Sequence, residues 1–211
     1  MVIKQSLRDT KKEATARAMA EAAFELARER GLDGFVVEDV VQRAGYSRRT
    51  FANYFTCKEE AVAIGATTFE NTQEYDRVLA DFPEDTPLLD VIYQMAKVQL
   101  TNEHIRKMHE LVSLSRKYPT LEPYFLSVRH GLQTEAQESL GEMFSGRYEE
   151  VYLHLLLGAV YGAILPLVEG RLNVLLPDQA QSENPGATPF NQYLDTVFTY
   201  LRNGFYKQEH I

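Results

Sequence analysis

Apolar side chains recur at intervals of three and four residues along most of this 211-residue chain. Such spacing places them on one face of an α-helix, whereas a β-strand would alternate apolar and polar positions. The first predicted helix ends at Gly31, a residue type common just past a helix C-terminus. Its apolar face consists of Met19, Ala22, Ala23, Leu26 and Ala27. No segment alternates convincingly and no internal repeat is present, so the pattern predicts an all-α fold with about nine helices.

Two short helices joined by a tight turn are predicted after the first helix. The earlier one covers about Val37–Ala44, and Gly45 supplies the turn. Ser47 is placed to cap the later one, which covers about Arg48–Phe55. Two short helices separated by a glycine-containing turn form a helix-turn-helix.

The most apolar segment, Val151–Val168, contains no charged residue and has about the minimum length of a membrane-spanning helix. It is flanked by glutamates rather than by the lysines and arginines typical of membrane boundaries. We therefore expect a helix buried inside a soluble assembly, with a membrane helix as the alternative. A longer helix is also expected from Lys58 to about Leu79, and about five more from Pro87 onward.

The formal net charge is −8, but the charge is unevenly distributed. Residues 1–60 carry eleven Lys and Arg against ten Asp and Glu, whereas residues 61–211 carry eleven against twenty. A surface that contacts nucleic acid is therefore expected near the N-terminus. Arg48 and Arg49 begin the second short helix, the one that enters the major groove in a helix-turn-helix. The predicted DNA-contacting residues are Tyr46, Ser47, Arg48, Arg49, Thr50, Asn53, Tyr54 and Lys58.

The sequence of residues 22–62 is AAFELARERGLDGFVVEDVVQRAGYSRRTFANYFTCKEEAV. Its pattern includes Ala22-Ala23, Gly31, the helix at 37–44, Gly45, Ser47, Thr50-Phe51, Tyr54-Phe55 and Lys58-Glu59. This segment resembles the N-terminal domain of the tetracycline-repressor (TetR) family of transcriptional regulators. Three positions depart from the family pattern: Val36 stands where threonine is common, Ala52 where an aromatic residue is common, and Ala27 where phenylalanine is usual.

The resemblance implies a three-helix helix-turn-helix DNA-binding domain over residues 1–57 and a helical effector-binding and dimerisation domain over residues 58–211. It also implies a ligand-responsive repressor that binds a palindromic operator as a homodimer. In this mechanism the second helices of the two helix-turn-helix motifs lie about 34 Å apart, one DNA turn, when the dimer is bound to its operator. A ligand tilts the Lys58–Leu79 helix and changes this separation. Repression relieved by ligand is expected rather than activation.

Family resemblance implies that the last two long helices form the dimer contact as a four-helix bundle. Gly158 and Gly162 form a G-x-x-x-G pair that allows close approach of helix backbones. The alternative is ordinary packing within one chain. The predicted interface residues are His154, Gly158, Gly162, Phe190, Leu194, Val197, Phe198 and Leu201.

The resemblance further implies a pocket for a small, largely apolar effector in the second domain. Methionine and aromatic residues at helical spacing are the candidates, although ordinary core packing explains each of them equally well. The predicted lining residues are Tyr93, Met95, Gln99, Met108, Leu111, Phe125 and Tyr161. His104 and His109 are five residues apart and so do not share a helix face, which argues against a metal site.

Two other classes of function compete with this interpretation. An enzyme is disfavoured because the chain contains no Glu-x-x-His pair, no glycine-rich phosphate loop and no His-Glu-x-x-His motif. No cofactor is expected. A helical protein-interaction adaptor, in which the paired arginines are only solvated, remains the alternative. The single cysteine, Cys57, and an N-terminus without an apolar signal segment favour the cytoplasm.

Overall fold

The computed structural model describes residues 7–68, 77–83 and 85–204, with side chains described from residue 11 onward except that of residue 183. These residues form nine α-helices, a further helical stretch at residues 77–80 and no strand, apart from one isolated bridge between Val174 and Thr188. The prediction of an all-α fold with about nine helices is confirmed. The helices are α1 (Leu7–Arg30), α2 (Val37–Ala44), α3 (Arg48–Ala52), α4 (Lys58–Thr67), α5 (Leu88–Gln99), α6 (Asn102–Lys117), α7 (Glu122–Met143), α8 (Glu150–Val168) and α9 (Phe190–Arg202).

The chain folds as two compact units. Unit 1 comprises Met1–Thr68 together with Glu110–Arg129, and unit 2 comprises Phe69–His109 together with His130–Ile211. The predicted division by function, with a boundary between residues 57 and 58, stays a prediction because compactness does not measure function.

The core of unit 1 is formed by small side chains where α1 and α4 cross. Ala20 and Ala23 of α1 and Ala61 and Ala66 of α4 are all fully buried. The absence of a side chain at Gly65 lets the helices approach closely: a Cβ placed there would lie 2.2 Å from the Ala20 carbonyl oxygen. The position of α4 on α1 is therefore fixed by backbone contact.

Residues 110–129 complete unit 1 around the end of α1. Leu111 and Leu121 are fully buried and Phe125 is nearly so. Gly31, which ends α1, has a φ of +75°, and the Tyr118 hydroxyl lies 2.3 Å from the position a Cβ would take. Glycine is therefore favoured at this position for its backbone conformation.

The core of unit 2 lies between α5, α8 and α9. Leu88 and Val91 of α5, Leu157 of α8, and Leu194 and Phe198 of α9 are buried there. Polar contacts join the same helices: the Tyr93 hydroxyl donates to Asp195, Arg202 pairs with Asp90, and the Tyr193 hydroxyl donates to the Ala163 carbonyl over 2.5 Å. Helix α9 is therefore held on two sides within its own chain.

Two helix ends differ from the prediction. The prediction of one helix from Lys58 to about Leu79 is wrong, because α4 ends at Thr67 and Thr68 has extended backbone angles, φ −67° and ψ 123°. Residues 69–76 lie outside the described residues, and residues 77–80 are helical. Helix α3 ends at Ala52 rather than Phe55, although the amides of Tyr54 and Phe55 still donate to the Phe51 carbonyl.

Helix α8 is the one helix among the described residues that is long and apolar enough to cross a membrane by length and composition. Only 33% of its apolar window is buried within the chain. Val151 and Leu155 are 65% and 70% exposed. The single chain thus leaves much of this helix exposed. Its burial within an assembly stays a prediction.

Candidate nucleic-acid interface

The turn between α2 and α3 depends on Gly45. This glycine has φ 76° and ψ 29°, the left-handed region in which a side chain is unfavourable. The amide of Tyr46 donates to the Val41 carbonyl over 2.9 Å and closes the end of α2. These two features set the direction in which α3 leaves the turn.

Helix α3 is short, so its position depends on its cap and on one buried ring. The Ser47 hydroxyl accepts a hydrogen bond from the Thr50 amide over 3.0 Å, which confirms the predicted cap. The hydroxyls of Ser47 and Thr50 are also hydrogen-bonded, 2.8 Å apart. Phe51 is buried and its ring centroid lies 5.2 Å from that of Phe55. The opposite face of α3 is left toward solvent.

The two arginines at the start of α3 are exposed and differ in their contacts. Arg48 has its Nε 3.4 Å from a carboxylate oxygen of Glu38 in the first turn of α2, and the two side chains are 70% and 59% exposed. Within the described part of the chain, Arg49 has no ion-pair or hydrogen-bond partner. Both guanidinium groups are therefore accessible to a ligand in solvent.

Other arginines near the motif are engaged within unit 1. Both terminal nitrogens of Arg43 donate to the carboxylate of Glu29, over 2.9 and 2.6 Å. This hydrogen bonding lowers the pKa of the Glu29 carboxyl and raises the pKa of Arg43. Arg30 lies 3.5 Å from Asp39, whose carboxylate also accepts from the Val36 amide at the start of α2. These pairs fasten α2 to α1.

Lys58 is engaged within unit 1 as well. Its ammonium donates to the carbonyls of Leu32 and Phe35 over 2.6 and 2.9 Å, and lies 4.9 Å from the Phe35 ring centroid. Two of its three N–H groups thus fix the start of α4 to the connection between α1 and α2. At most one is left for a phosphate.

The remaining predicted contact residues lie around α3. Tyr46 is 38% exposed, Asn53 is exposed, and Tyr54 is half-buried beside Phe55. Val36, which the prediction treated only as a lost contact, is 58% exposed at the start of α2. Glu38 was not predicted as a site residue; only the fold reveals its proximity to Arg48.

The predicted effector residues are divided between the two units, and their role in binding an effector stays a prediction. Leu111 and Phe125 are buried in unit 1, whereas Met95 and Met108 are buried in unit 2. In unit 2 the hydroxyl of Tyr161 donates to the Leu132 carbonyl, and Gln99 and Tyr93 are partly buried. Among the described residues, no cluster of His, Cys, Asp and Glu is suited to a metal ion.

A cavity of about 350 Å³ does lie in unit 2, beside the loop that precedes α9. Its wall contains buried Leu100, Leu175 and Phe190 and the polar side chains of Lys97 and Asp178. The other lining residues are Thr101, Leu176, Pro177, Gln179, Pro189 and Asn191. None of the seven predicted effector residues lines it.

The predicted dimer residues fall into two groups. Phe190, Leu194 and Phe198 are buried in the core of unit 2, while Val197 and Leu201 are partly buried against it, so this stripe packs within one chain. His154, Gly158 and Gly162 are exposed on α8. Outside their own helix backbone, no atom of the described residues lies within 4 Å of a Cβ placed on either glycine.

Comparison with known proteins confirms the resemblance. Residues 20–63 match the family model for bacterial regulatory proteins of the tetR family. No curated protein matches the chain. One similar solved structure is a protein assigned to the TetR family of transcriptional regulators from Mesorhizobium loti MAFF303099, with 15% identity, TM-score 0.49, and coverage of 92% of this chain and 98% of that one. Another is a transcriptional regulator from Rhodococcus sp. Rha1, with 20% identity, TM-score 0.45, and coverage of 90% and 96%.

Proposed function

We propose that the chain is a DNA-binding transcriptional regulator of the TetR family, because residues 20–63 match that family's model, and that it acts as a ligand-responsive repressor. It binds a palindromic operator as a homodimer and is released by a small effector. The observation that carries the proposal is the pair of exposed arginines, Arg48 and Arg49, at the start of a capped α3. The role places the protein in the cytoplasm, and it requires no catalysis.

Helix α3 supplies the reading surface. The second helix of such a motif lies in the major groove with its N-terminal residues toward base edges. Arg48 and Arg49 occupy that end, and arginine binds guanine O6 and N7 or phosphate oxygens. Thr50, Asn53 and Tyr54 add hydroxyl and amide groups on or near the same helix. The acidic remainder of the chain repels the duplex and disfavours other orientations.

A selection from fragments of the source genome tests DNA binding directly. Wild-type protein is expected to retain a subset of fragments against random competitor, and a variant with Arg48→Ala and Arg49→Ala is expected to lose that preference. Arg116→Ala, an exposed arginine in the last turn of α6, removes charge away from α3 and is the control. If wild-type protein prefers no fragment, the chain is instead a helical interaction adaptor.

The exposed face of α8 supports the homodimer. A face with Val151 65% and Leu155 70% exposed is costly to leave in water, at about 25 cal/mol per Å² of apolar surface. The open space beside Gly158 and Gly162 gives a second helix room to approach closely. The proposal therefore centres the dimer contact on α8, with His154 at its edge.

A leucine at Gly158 discriminates a dimer contact from a folding defect. A Cβ at this position meets no neighbouring atom of the described residues, so the added side chain is expected to obstruct a second chain rather than the fold of its own. Gly131→Leu on α7 is the matched control, since no atom lies within 4 Å of its Cβ position either. Sedimentation at micromolar concentration is expected to show a dimer for wild type and Gly131→Leu and a weakened dimer for Gly158→Leu. A monomeric wild type refutes this arrangement.

The cavity in unit 2 supports an effector site. Its volume lies in the range of small-molecule pockets, and its lining combines buried Leu100, Leu175 and Phe190 with several polar side chains. One wall belongs to a long ordered loop closed by hydrogen bonds between Leu175 and Thr188 and between Thr188 and Asn173. Long loops of this kind in compact proteins are commonly functional. The seven residues predicted from sequence remain an alternative lining.

Thermal denaturation with a panel of small apolar compounds, such as indole and decanol, tests this site. A bound compound raises the melting temperature by mass action and, by linkage, weakens operator binding. Asn191→Trp fills the edge of the cavity and is expected to abolish the shift, whereas Tyr161→Phe tests the alternative lining. A shift that survives Asn191→Trp excludes the loop cavity.

A further inference from the structure

The contact between Glu38 and Arg48 engages one particular atom of the arginine. The carboxylate of Glu38 faces Nε of Arg48, at 3.4 Å. A guanidinium carries five N–H donors, one on Nε and two on each terminal nitrogen. Nε is the guanidinium nitrogen closest to Glu38, so the terminal nitrogens lie farther from the carboxylate, and these two can bind guanine O6 and N7 in a bidentate contact.

The other acidic side chains around the motif have different partners. Glu29 binds both terminal nitrogens of Arg43, and Asp39 accepts from the Val36 amide and faces Arg30. Glu38 is thus the carboxylate beside α3 that faces an arginine placed to contact DNA. The pair joins the first turn of α2 to the first residue of α3, so it spans the turn of the motif.

We propose that Glu38 is a specificity-determining positioning residue, which holds Arg48 by Nε so that its terminal nitrogens read a guanine. This inference rests on the proposed DNA-binding function. An arginine without such a partner samples many rotamers and binds phosphate oxygens as readily as a base edge, which adds affinity without sequence information. A carboxylate beside it also repels phosphate, so it weakens binding to random sequences and sharpens discrimination.

The pair is well suited to mutation because it contributes little to folding. Both side chains are more than half exposed, and exposed ion pairs add little stability. Glu38→Gln keeps the shape and removes the charge, while Glu38→Asp keeps the charge and shortens the reach. Asp33→Asn is the matched control. Asp33 is an exposed acid in the connection between α1 and α2, and its substitution removes the same charge at a position that does not contact Arg48.

The experiment measures the ratio of affinities for two duplexes. Selection from a random-sequence library with wild-type protein first supplies a preferred duplex, and each variant is then titrated with that duplex and with a scrambled one. Glu38→Gln is expected to lower this ratio about fivefold or more, which is a fraction of the discrimination that one bidentate contact provides. It is also expected to strengthen binding to the scrambled duplex. Glu38→Asp is expected to lower the ratio as well, and Asp33→Asn to leave it within about twofold. In the Arg48→Ala background, Glu38→Gln is expected to change the ratio no further.

Each other outcome has a defined meaning. If wild-type protein selects a sequence but Glu38→Gln behaves like Asp33→Asn, the positioning role is refuted while the DNA-binding function stands. If Glu38→Gln still lowers the affinity ratio in the Arg48→Ala background, Glu38 does not act through Arg48. If wild-type protein selects no sequence, the proposed function fails and this inference fails with it. Circular dichroism of each variant shows whether a lower affinity ratio results from unfolding. If Glu38→Gln does not fold, Glu38→Asp supplies a second test.

Discussion

Gly65→Ala is expected to destabilise unit 1, although alanine is the better helix former. In an exposed helix the exchange would gain about 1 kcal/mol. At Gly65, however, the new Cβ would lie 2.2 Å from the Ala20 carbonyl oxygen, 2.7 Å from the Ala20 carbonyl carbon and 2.9 Å from the Phe24 Cβ. The first two are backbone atoms, so no side-chain rotation relieves the overlap.

The expected magnitude follows from the distance that α1 and α4 must separate. A normal contact requires about 3.2 Å or more, so the helices must move apart by about 1 Å, with loss of dispersion contacts along the whole crossing. Overpacking of this kind costs about 1–3 kcal/mol, and more where backbone atoms must shift. Because α4 also carries Lys58, which binds the connection between α1 and α2, the movement is expected to weaken operator binding as well.

Thermal and urea denaturation, followed by circular dichroism at one fixed protein concentration, measure this effect. With an overpacking cost at the upper end of that range, about 2–3 kcal/mol, and a helix-propensity gain of about 1 kcal/mol, a net loss of about 1–2 kcal/mol is expected. This loss lowers the melting temperature by roughly 2–8 °C in a protein of this size. Gly131→Ala in α7 is the control, since it has the same chemistry with no atom within 4 Å and is expected to stabilise slightly. If Gly65→Ala is as stable as Gly131→Ala, the close contact between α1 and α4 is refuted.

Three further changes test the electrostatics of unit 1. The pKa of Glu29 is lowered in the folded protein, so its contact with Arg43 stabilises the fold above the ordinary carboxyl pKa of 4.5. This stabilisation is lost as the pH falls through the lower pKa of the folded state. Glu29→Gln is therefore expected to flatten this part of the acid denaturation profile, and an unchanged profile contradicts the contact. Lys58→Met leaves two carbonyls without their donor and is expected to cost about 1–3 kcal/mol of stability. Little change is expected in the salt dependence of DNA binding. If the slope of log affinity against log salt concentration falls by about one, Lys58 contacts a phosphate instead. Arg49→Ala is expected to weaken operator binding by about 1–3 kcal/mol and to relax specificity if the residue reads a base, and equal binding by variant and wild type at every salt concentration would remove Arg49 from the interface.

The motif could be predicted from sequence because its geometry is local. Gly45 adopts a left-handed conformation, Ser47 caps α3 through the amide three residues on, and Phe51 anchors the helix. Each of these features acts within a few residues. The sequence pattern therefore sufficed for α2, the turn and the start of α3.

Features that join distant parts of the chain were not predictable in this way. The pairing of Arg43 with Glu29 bridges fourteen residues, and the loop cavity combines residues near 100, 177 and 190. The end of α4 at Thr67 was missed because no glycine or proline follows it in the next few residues. The apolar stripe of α9 is real, but periodicity shows only that a helix face is covered and does not identify what covers it. Here Leu194 and Phe198 are covered by their own chain.

The number of basic residues near the N-terminus overstates the charge that unit 1 offers to a duplex. Arg30 and Arg43 are paired with carboxylates, and Lys58 spends two of its donors on backbone carbonyls. Arg49 and the terminal nitrogens of Arg48 are left at the start of α3. Phosphate contacts supply most non-specific affinity, so the pairing of Arg30 and Arg43 with carboxylates shifts binding by the motif toward base contacts and toward two copies acting together. The carboxylates that pair with Arg30 and Arg43 can therefore favour sequence-selective binding, because they reduce the charge available for phosphate contacts.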